Sequence, residues 1–81
     1  MIHVSARISV YPLRQEHLSP AIEAVEAQFK AHGLKSEVGA MSTQIVGDAD
    51  TVFAALRSAF VRVAANGQVV MTFTVSNACP V

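Results

Sequence analysis

The sequence predicts an α+β domain in which strand, helix, strand, strand, helix and strand follow one another. Two observations carry this prediction. Apolar and polar residues alternate near both ends of the chain, which is the period of a strand. Two segments between them carry apolar residues at helical spacing. We therefore expect one domain over residues 1–81, a ferredoxin-like sandwich with two helices on one face of a four-stranded antiparallel sheet. The first and third strands should be central.

The first strand is predicted over Ile2 to Tyr11, where the side chains alternate. The apolar even-numbered residues are expected to face the core. Pro12 should end the strand, because proline has no N–H group for the ladder. The odd-numbered residues should lie on the open face, which is the face of the sheet away from the helices: His3, Ser5, Arg7, Ser9 and Tyr11.

The first helix is predicted over Pro20 to His32. Ser19 is a favourable N-cap, and proline is tolerated at the first helical position because its missing N–H costs nothing there. Gly33 can take the left-handed conformation that ends a helix. The residues expected to form the core stripe of this helix are Leu18, Ile22, Val25 and Phe29.

The second helix is predicted over Ala49 to about Ala65, with Asp48 as its N-cap and Asn66–Gly67 as its end. Helical spacing assigns one stripe of apolar residues to the core: Val52, Leu56, Ala59, Phe60 and Val63.

Three more strands complete the sheet. The second is predicted over Leu34–Gly39, the third over Thr43–Gly47 and the fourth over Val69–Ser76. In the third strand Ile45 is the expected core residue, although Val46 competes with it. The fourth strand should turn four residues to the core: Val69, Met71, Phe73 and Val75.

Composition restricts the class of protein. Six basic and six acidic residues cancel, and no basic stripe is present, so a nucleic-acid partner is not expected. No apolar run reaches the roughly 18 residues of a membrane span, and the N-terminus does not resemble a signal peptide. Cys79 is the single cysteine, which excludes an internal disulfide and fits a cytoplasmic protein.

A small chain that is 52% hydrophobic should bury part of its surface in an oligomer. Ala54 and Val61, which lie away from the core stripe of the second helix, and the weakly charged open face are the expected contact surfaces.

The residue types favour binding over catalysis. His3, His17 and His32 show no metal-ligand spacing, and no phosphate-binding glycine loop is present, so neither a metal nor a catalytic residue is predicted. The open face is rich in hydroxyl groups, which suit a small polar ligand or a second sheet. A structural or regulatory homo-oligomer without a ligand, and a small enzyme on the same fold, are the alternatives.

Five stretches of the chain resemble those of one family: ISVYPL (8–13), LSPAIE (18–23), GLKSEVGAMST (33–43), the segment IVGD (45–48) and VSNACP (75–80). The family is the YkoF-type thiamine/hydroxymethylpyrimidine-binding family, which is related to the thiamine-binding small proteins. The resemblance implies non-catalytic binding of thiamine or hydroxymethylpyrimidine, linked to thiamine uptake or salvage, without a cofactor. Larger members carry two such domains in tandem, so a single-domain chain implies a homodimer or homotetramer.

The resemblance also implies ligand contact by Met41, Ser42, Thr43, Ser76 and Asn77. The predicted positions and chemistry of three other residues add Ser9, Tyr11 and Glu37 to this set. Ser9 and Tyr11 end the first strand, which in antiparallel pairing lies beside the start of the third, so they should cluster with Ser42 and Thr43. Tyr11 could stack on a ring. Glu37 could balance the thiazolium cation of thiamine.

Overall fold

The computed structural model describes residues 2–14, 19–39 and 42–78 and contains the six elements in the predicted order. The sheet order is β2-β3-β1-β4, and every neighbouring pair is antiparallel, as the ferredoxin-like prediction requires. The first and third strands are central, as predicted. The elements are β1 (His3–Pro12), α1 (Ser19–Ala31), β2 (Ser36–Val38), β3 (Thr43–Asp48), α2 (Ala49–Ala64) and β4 (Val69–Ser76).

The core lies between the sheet and the two helices. Val4, Ala6 and Ile8 of β1 face it, and Ile45 joins them from β3, while Val46 is exposed. The prediction of Ile45 as the core residue of β3 is therefore confirmed. The helices contribute the other large buried side chains of the core, which include Val25, Phe29, Val52, Leu56 and Val63. No helix within the described ranges is long and apolar enough to cross a membrane.

The C-terminal end of α1 shortens the second strand. Gly33 has a positive φ of 75°, and the Leu34 N–H donates to the Phe29 carbonyl at 2.9 Å, which is the Schellman pattern of a helix end. His32 Nδ1 lies 2.8 Å from the Gln28 carbonyl oxygen. Leu34 is buried as part of this cap, so the prediction that the strand begins there is wrong. β2 comprises only residues 36–38.

The junction of β3 with α2 differs slightly from the prediction that Gly47 ends the strand. Gly47 pairs with Val4, and the strand continues to Asp48. A Cβ atom at Gly47 would lie 2.7 Å from Leu34 Cδ2, so close packing explains the glycine. The Asp48 carboxylate accepts from the Thr51 N–H at 3.2 Å and caps α2 as predicted.

Both ends of β1 are shifted by one residue from the prediction. Ile2 precedes the strand and is exposed, and its carbonyl oxygen accepts from the Ala49 N–H at 2.8 Å, in register with the pairing of β1 and β3. Pro12 is the last residue of the strand and pairs with Val69. A proline is tolerated at this end position, where the ladder stops.

Two phenylalanines predicted for the core are exposed. Phe60 of α2 is 42% exposed and Phe73 of β4 is 46% exposed, while Ala55 takes a fully buried position on α2. Phe73 does point to the helix side, because it pairs with Ile8. It stays accessible because β4 is the edge strand and an open groove lies between β4 and α2. The prediction of which way Phe73 faces is confirmed, and the prediction that it is buried is wrong.

Candidate functional site

A cavity of about 140 Å³ lies where β1 ends and α1 begins, and it is called the α1 cavity below. Strand β1 and helix α1 are consecutive and pack on each other, so the start of the helix lies beside the end of the strand. The lining residues are Ile8, Ser9, Val10, Tyr11, Ile22, Val25, Val38, Gly39, Ser42 and Thr43.

A hydrogen bond between the end of β2 and the start of β3 borders the α1 cavity. The Gly39 N–H donates to the Ser42 carbonyl at 2.7 Å, which holds these two segments together. A Cβ atom at Gly39 would lie 3.3 Å from the same carbonyl oxygen, so a side chain there would press on Ser42. This glycine therefore permits the close approach that positions Ser42.

The four residues predicted as the better cluster line this one cavity. Thr43 is only 8% exposed and pairs with Ile8 on one side and Val38 on the other, so it faces the helices. Ser42 precedes it and is half-buried. Ser9 and Tyr11 reach the cavity from the end of β1. The cavity thus lies at the predicted end of the sheet, but it lies between the sheet and α1, whereas the open face was the expected ligand surface.

The other predicted ligand-contacting residues lie elsewhere. Glu37 is exposed on the open face, in register with Gln44. Ser76 pairs with Ser5 near the opposite end of β1, and its hydroxyl accepts from the Ala78 N–H at 2.9 Å. Asn77 follows it and is exposed. Met41 lies outside the described residues.

The lining of the α1 cavity carries no carboxylate and no basic side chain among the residues described. Its polar groups are hydroxyls and backbone amides, and the remaining walls are aliphatic. The described lining can pair with the edge of a neutral heterocycle and contains no charged side chain that would neutralise a full charge. The described residues contain no group of histidine, cysteine and acidic side chains that could hold a metal.

The sequence interpretation missed the walls of the cavity. Helical spacing predicts Ile22 and Val25 as part of the core stripe of α1, and it predicts no contact with a ligand for them or for Val38. An apolar stripe does not reveal where packing leaves a space. The proximity of the first turn of α1 to the end of β1 is the signal that could have identified them.

The open face has a different character. Glu37, Gln44, Arg7 and Thr74 form one row across all four strands, with Gln44 between the two charged residues. Ser5 is 8% exposed, and its Oγ has no hydrogen-bond partner among the described residues. Of the predicted ligand-contacting residues, Glu37, Ser76 and Asn77 do not line the α1 cavity.

Known structures share the fold of this chain. A protein from Methanocaldococcus jannascii is 29% identical, with a TM-score of 0.86 over 94% of this chain and 80% of that one. A protein from Thermotoga maritima, provisionally described as one of thiamine biosynthesis or salvage, is 18% identical, with a TM-score of 0.80 over 91% of this chain and 82% of that one.

A domain of unknown function from Bacillus cereus is 21% identical, with a TM-score of 0.77 over 91% of this chain and 74% of that one. No curated protein matches the sequence. The model of the YKOF-related family matches residues 3–81, so the chain belongs to the YkoF-related family.

Proposed function

We propose that this protein binds the aminopyrimidine ring of hydroxymethylpyrimidine or thiamine in the α1 cavity, without catalysis, in thiamine uptake or salvage. The observation that carries the proposal is the convergence of Ser9, Tyr11, Ser42 and Thr43 on one cavity with aliphatic walls. Membership of the YkoF-related family supports the class of ligand. The description of the Thermotoga relative agrees with it.

The chemistry of the lining favours the pyrimidine over the thiazolium. An aminopyrimidine is flat and neutral, and it presents donors and acceptors along its edge. Hydroxyl groups can serve as either partner, so the Ser42 and Thr43 side chains suit this edge. A permanent cation needs a nearby carboxylate in a partly dry site. Glu37 faces away from the cavity, so we expect the thiazolium of thiamine to remain in solvent.

The size of the cavity also favours binding of the pyrimidine ring alone. Sites for drug-sized ligands usually enclose about 300–1,000 Å³, whereas this cavity measures 140 Å³. One ring with a small substituent is a better match than the whole of thiamine. We therefore expect hydroxymethylpyrimidine to bind with an affinity similar to that of thiamine.

Calorimetric titration of both ligands tests the proposal. Thr43→Val keeps the shape of the side chain and removes the hydroxyl, which should weaken binding by about three- to tenfold, the equivalent of roughly 0.5–1.5 kcal/mol for one hydrogen bond. Thr74→Val is the matched control, because Thr74 is exposed on the open face of β4. It should bind like the wild type.

Two results would contradict the proposal. Absence of binding by the wild type at millimolar concentrations of either ligand would leave the ligand-free structural or regulatory oligomer as the better interpretation. Equal loss of affinity in the Thr43 and Thr74 variants would indicate that the ligand binds outside the α1 cavity.

A further inference from the structure

Helix α2 and strand β4 leave an open apolar groove between them, which is called the aromatic groove below. It encloses about 320 Å³, within the range of roughly 300–1,000 Å³ that is usual for the sites of small ligands. Met71 and Phe73 face it from β4, because they pair with Val10 and Ile8, whose side chains lie on the helix side of the sheet. The complete lining is Phe53, Leu56, Arg57, Phe60, Met71 and Phe73.

The walls of the aromatic groove suit a flat ring. Phe53, Phe60 and Phe73 are each between 42 and 51% exposed. Exposed apolar patches of this kind mark interaction sites in soluble proteins. Phenylalanine rings attract another aromatic ring in offset or edge-to-face arrangements, and the sulfur of Met71 also makes favourable contacts with rings.

Arg57 is the charged residue in the lining of the aromatic groove. Ion pairs along a helix form between residues three or four positions apart. At these distances from Arg57 lie only uncharged residues: Phe53, Ala54, Phe60 and Val61. Strand β4, the opposite wall, carries no charge either. Within the described ranges Arg57 has no ion pair, so its exposed guanidinium can accept an anion from outside the chain.

We propose that the aromatic groove binds a small aromatic carboxylate, with the ring among the phenylalanines and the carboxylate on Arg57. A guanidinium presents its donors in a planar fork that matches both oxygens of a carboxylate. The attraction is stronger beside apolar walls, which exclude part of the water. Because neither wall supplies a negative charge, the ligand has to supply it.

The site is separate from the one proposed for the pyrimidine. The aromatic groove and the α1 cavity share no lining residue, and only the groove has a charged residue in its described lining. It also differs from the surfaces expected for a homo-oligomer, because Ala54 and Val61 do not line it. A second β4 strand laid over the groove would leave Arg57 without a counter-ion, since β4 is uncharged.

Calorimetric titration of the full chain with naphthoate, a naphthalene ring that bears one carboxylate, tests the site. The wild type should bind naphthoate about tenfold more tightly than neutral naphthylmethanol, which has the same ring. Arg57→Gln removes the charge and should abolish this preference, whereas Arg57→Lys should keep part of it. Arg62→Gln is the matched control, because Arg62 is an exposed arginine of the same helix and does not line the groove. It should behave like the wild type.

Amide shifts in NMR spectra then locate the bound ring. Naphthoate should change the shifts of residues 53–60 and 71–73 and leave those of residues 42–43 unchanged. No binding by the wild type at millimolar naphthoate would overturn the proposal, as would equal affinities for naphthoate and naphthylmethanol. Equal losses in Arg57→Gln and Arg62→Gln, or shifts centred on the α1 cavity, would overturn it too.

Self-association provides the remaining check. The affinity for naphthoate should not depend on protein concentration. Loss of naphthoate binding as the protein is concentrated would show that a second copy covers the aromatic groove, and this would also overturn the proposal. None of these measurements uses a pyrimidine, so their failure is distinguishable from failure of the α1 cavity to bind one.

Discussion

Helix α1 and helix α2 pack on the same face of the sheet, but α2 leaves more apolar surface exposed than α1 does. On the α1 side, Val25 and Phe29 are fully buried, and a small cavity lined partly by hydroxyl-bearing residues lies beside them. On the α2 side, Phe53, Phe60 and Phe73 surround an open groove. The α1 side thus encloses a small, partly polar space, and the α2 side leaves an apolar surface exposed. Apolar patterning is similar in both regions, so the pattern alone does not distinguish a closed core from an exposed apolar surface.

Phenylalanine truncation should give the largest contrast between the two sides. Phe29 has no exposed surface, so Phe29→Ala should cost about 3–5 kcal/mol of unfolding free energy at every protein concentration. Phe73 is half-exposed in the single chain, so Phe73→Ala should cost about 1–2 kcal/mol in the monomer. Urea unfolding at several protein concentrations measures both values.

The effect of a ligand sharpens this comparison. If the aromatic groove binds an aromatic carboxylate, naphthoate should raise the unfolding free energy of the wild type. Phe73→Ala should lose much of this gain, because it removes one of the three phenylalanines of the groove. Phe29→Ala should keep the gain. Equal gains in the two variants would show that the two sides of the molecule do not differ as described.

A smaller effect is expected at the start of α2. Hydrogen bonds from Thr51 lower the pKa of the Asp48 carboxyl below its ordinary value. Since the carboxyl of the unfolded chain binds protons more readily, the resulting stability is present above its unfolded pKa of about 3.9 and is lost as the pH falls through the lower folded pKa.

The Asp48→Asn variant keeps a good N-cap and removes the charge. Its melting temperature should lie slightly below that of the wild type at pH 7, and the difference should disappear at acidic pH. Thermal melts of both proteins between pH 2 and 7 provide the measurement. A difference that persists unchanged at the lowest pH would contradict a role for the carboxylate charge.

Much of the fold follows from local pattern. The alternation of β1 and β4, the Asp48 cap and the positive φ at Gly33 were all predictable, because each depends on residues that are neighbours in the chain. The burial of Phe60 and Phe73 was not, because burial depends on how far α2 extends over an edge strand. Sequence spacing specifies which face of an element a side chain lies on. It does not specify whether a neighbouring element covers that side chain.

Only part of the candidate site could likewise be predicted from the sequence. Ser9, Tyr11, Ser42 and Thr43 could be grouped in advance, because antiparallel pairing places the end of β1 beside the start of β3. Ile22 and Val25 could not be added, because the position of α1 over that end is a property of tertiary packing. The resemblance to the family supplied the class of ligand, which the residues alone did not specify.

Mapping hydroxymethylpyrimidine on the protein by NMR tests the central claim most directly. Amide shifts should change around the α1 cavity, at residues 8–11, 22–25, 38–39 and 42–43, and the β4 amides beyond residue 73 should be unaffected. The Thr43→Val variant should require a higher ligand concentration for the same changes. Shifts concentrated on the open face around Arg7, Gln44 and Thr74, or no shifts at millimolar ligand, would contradict the account.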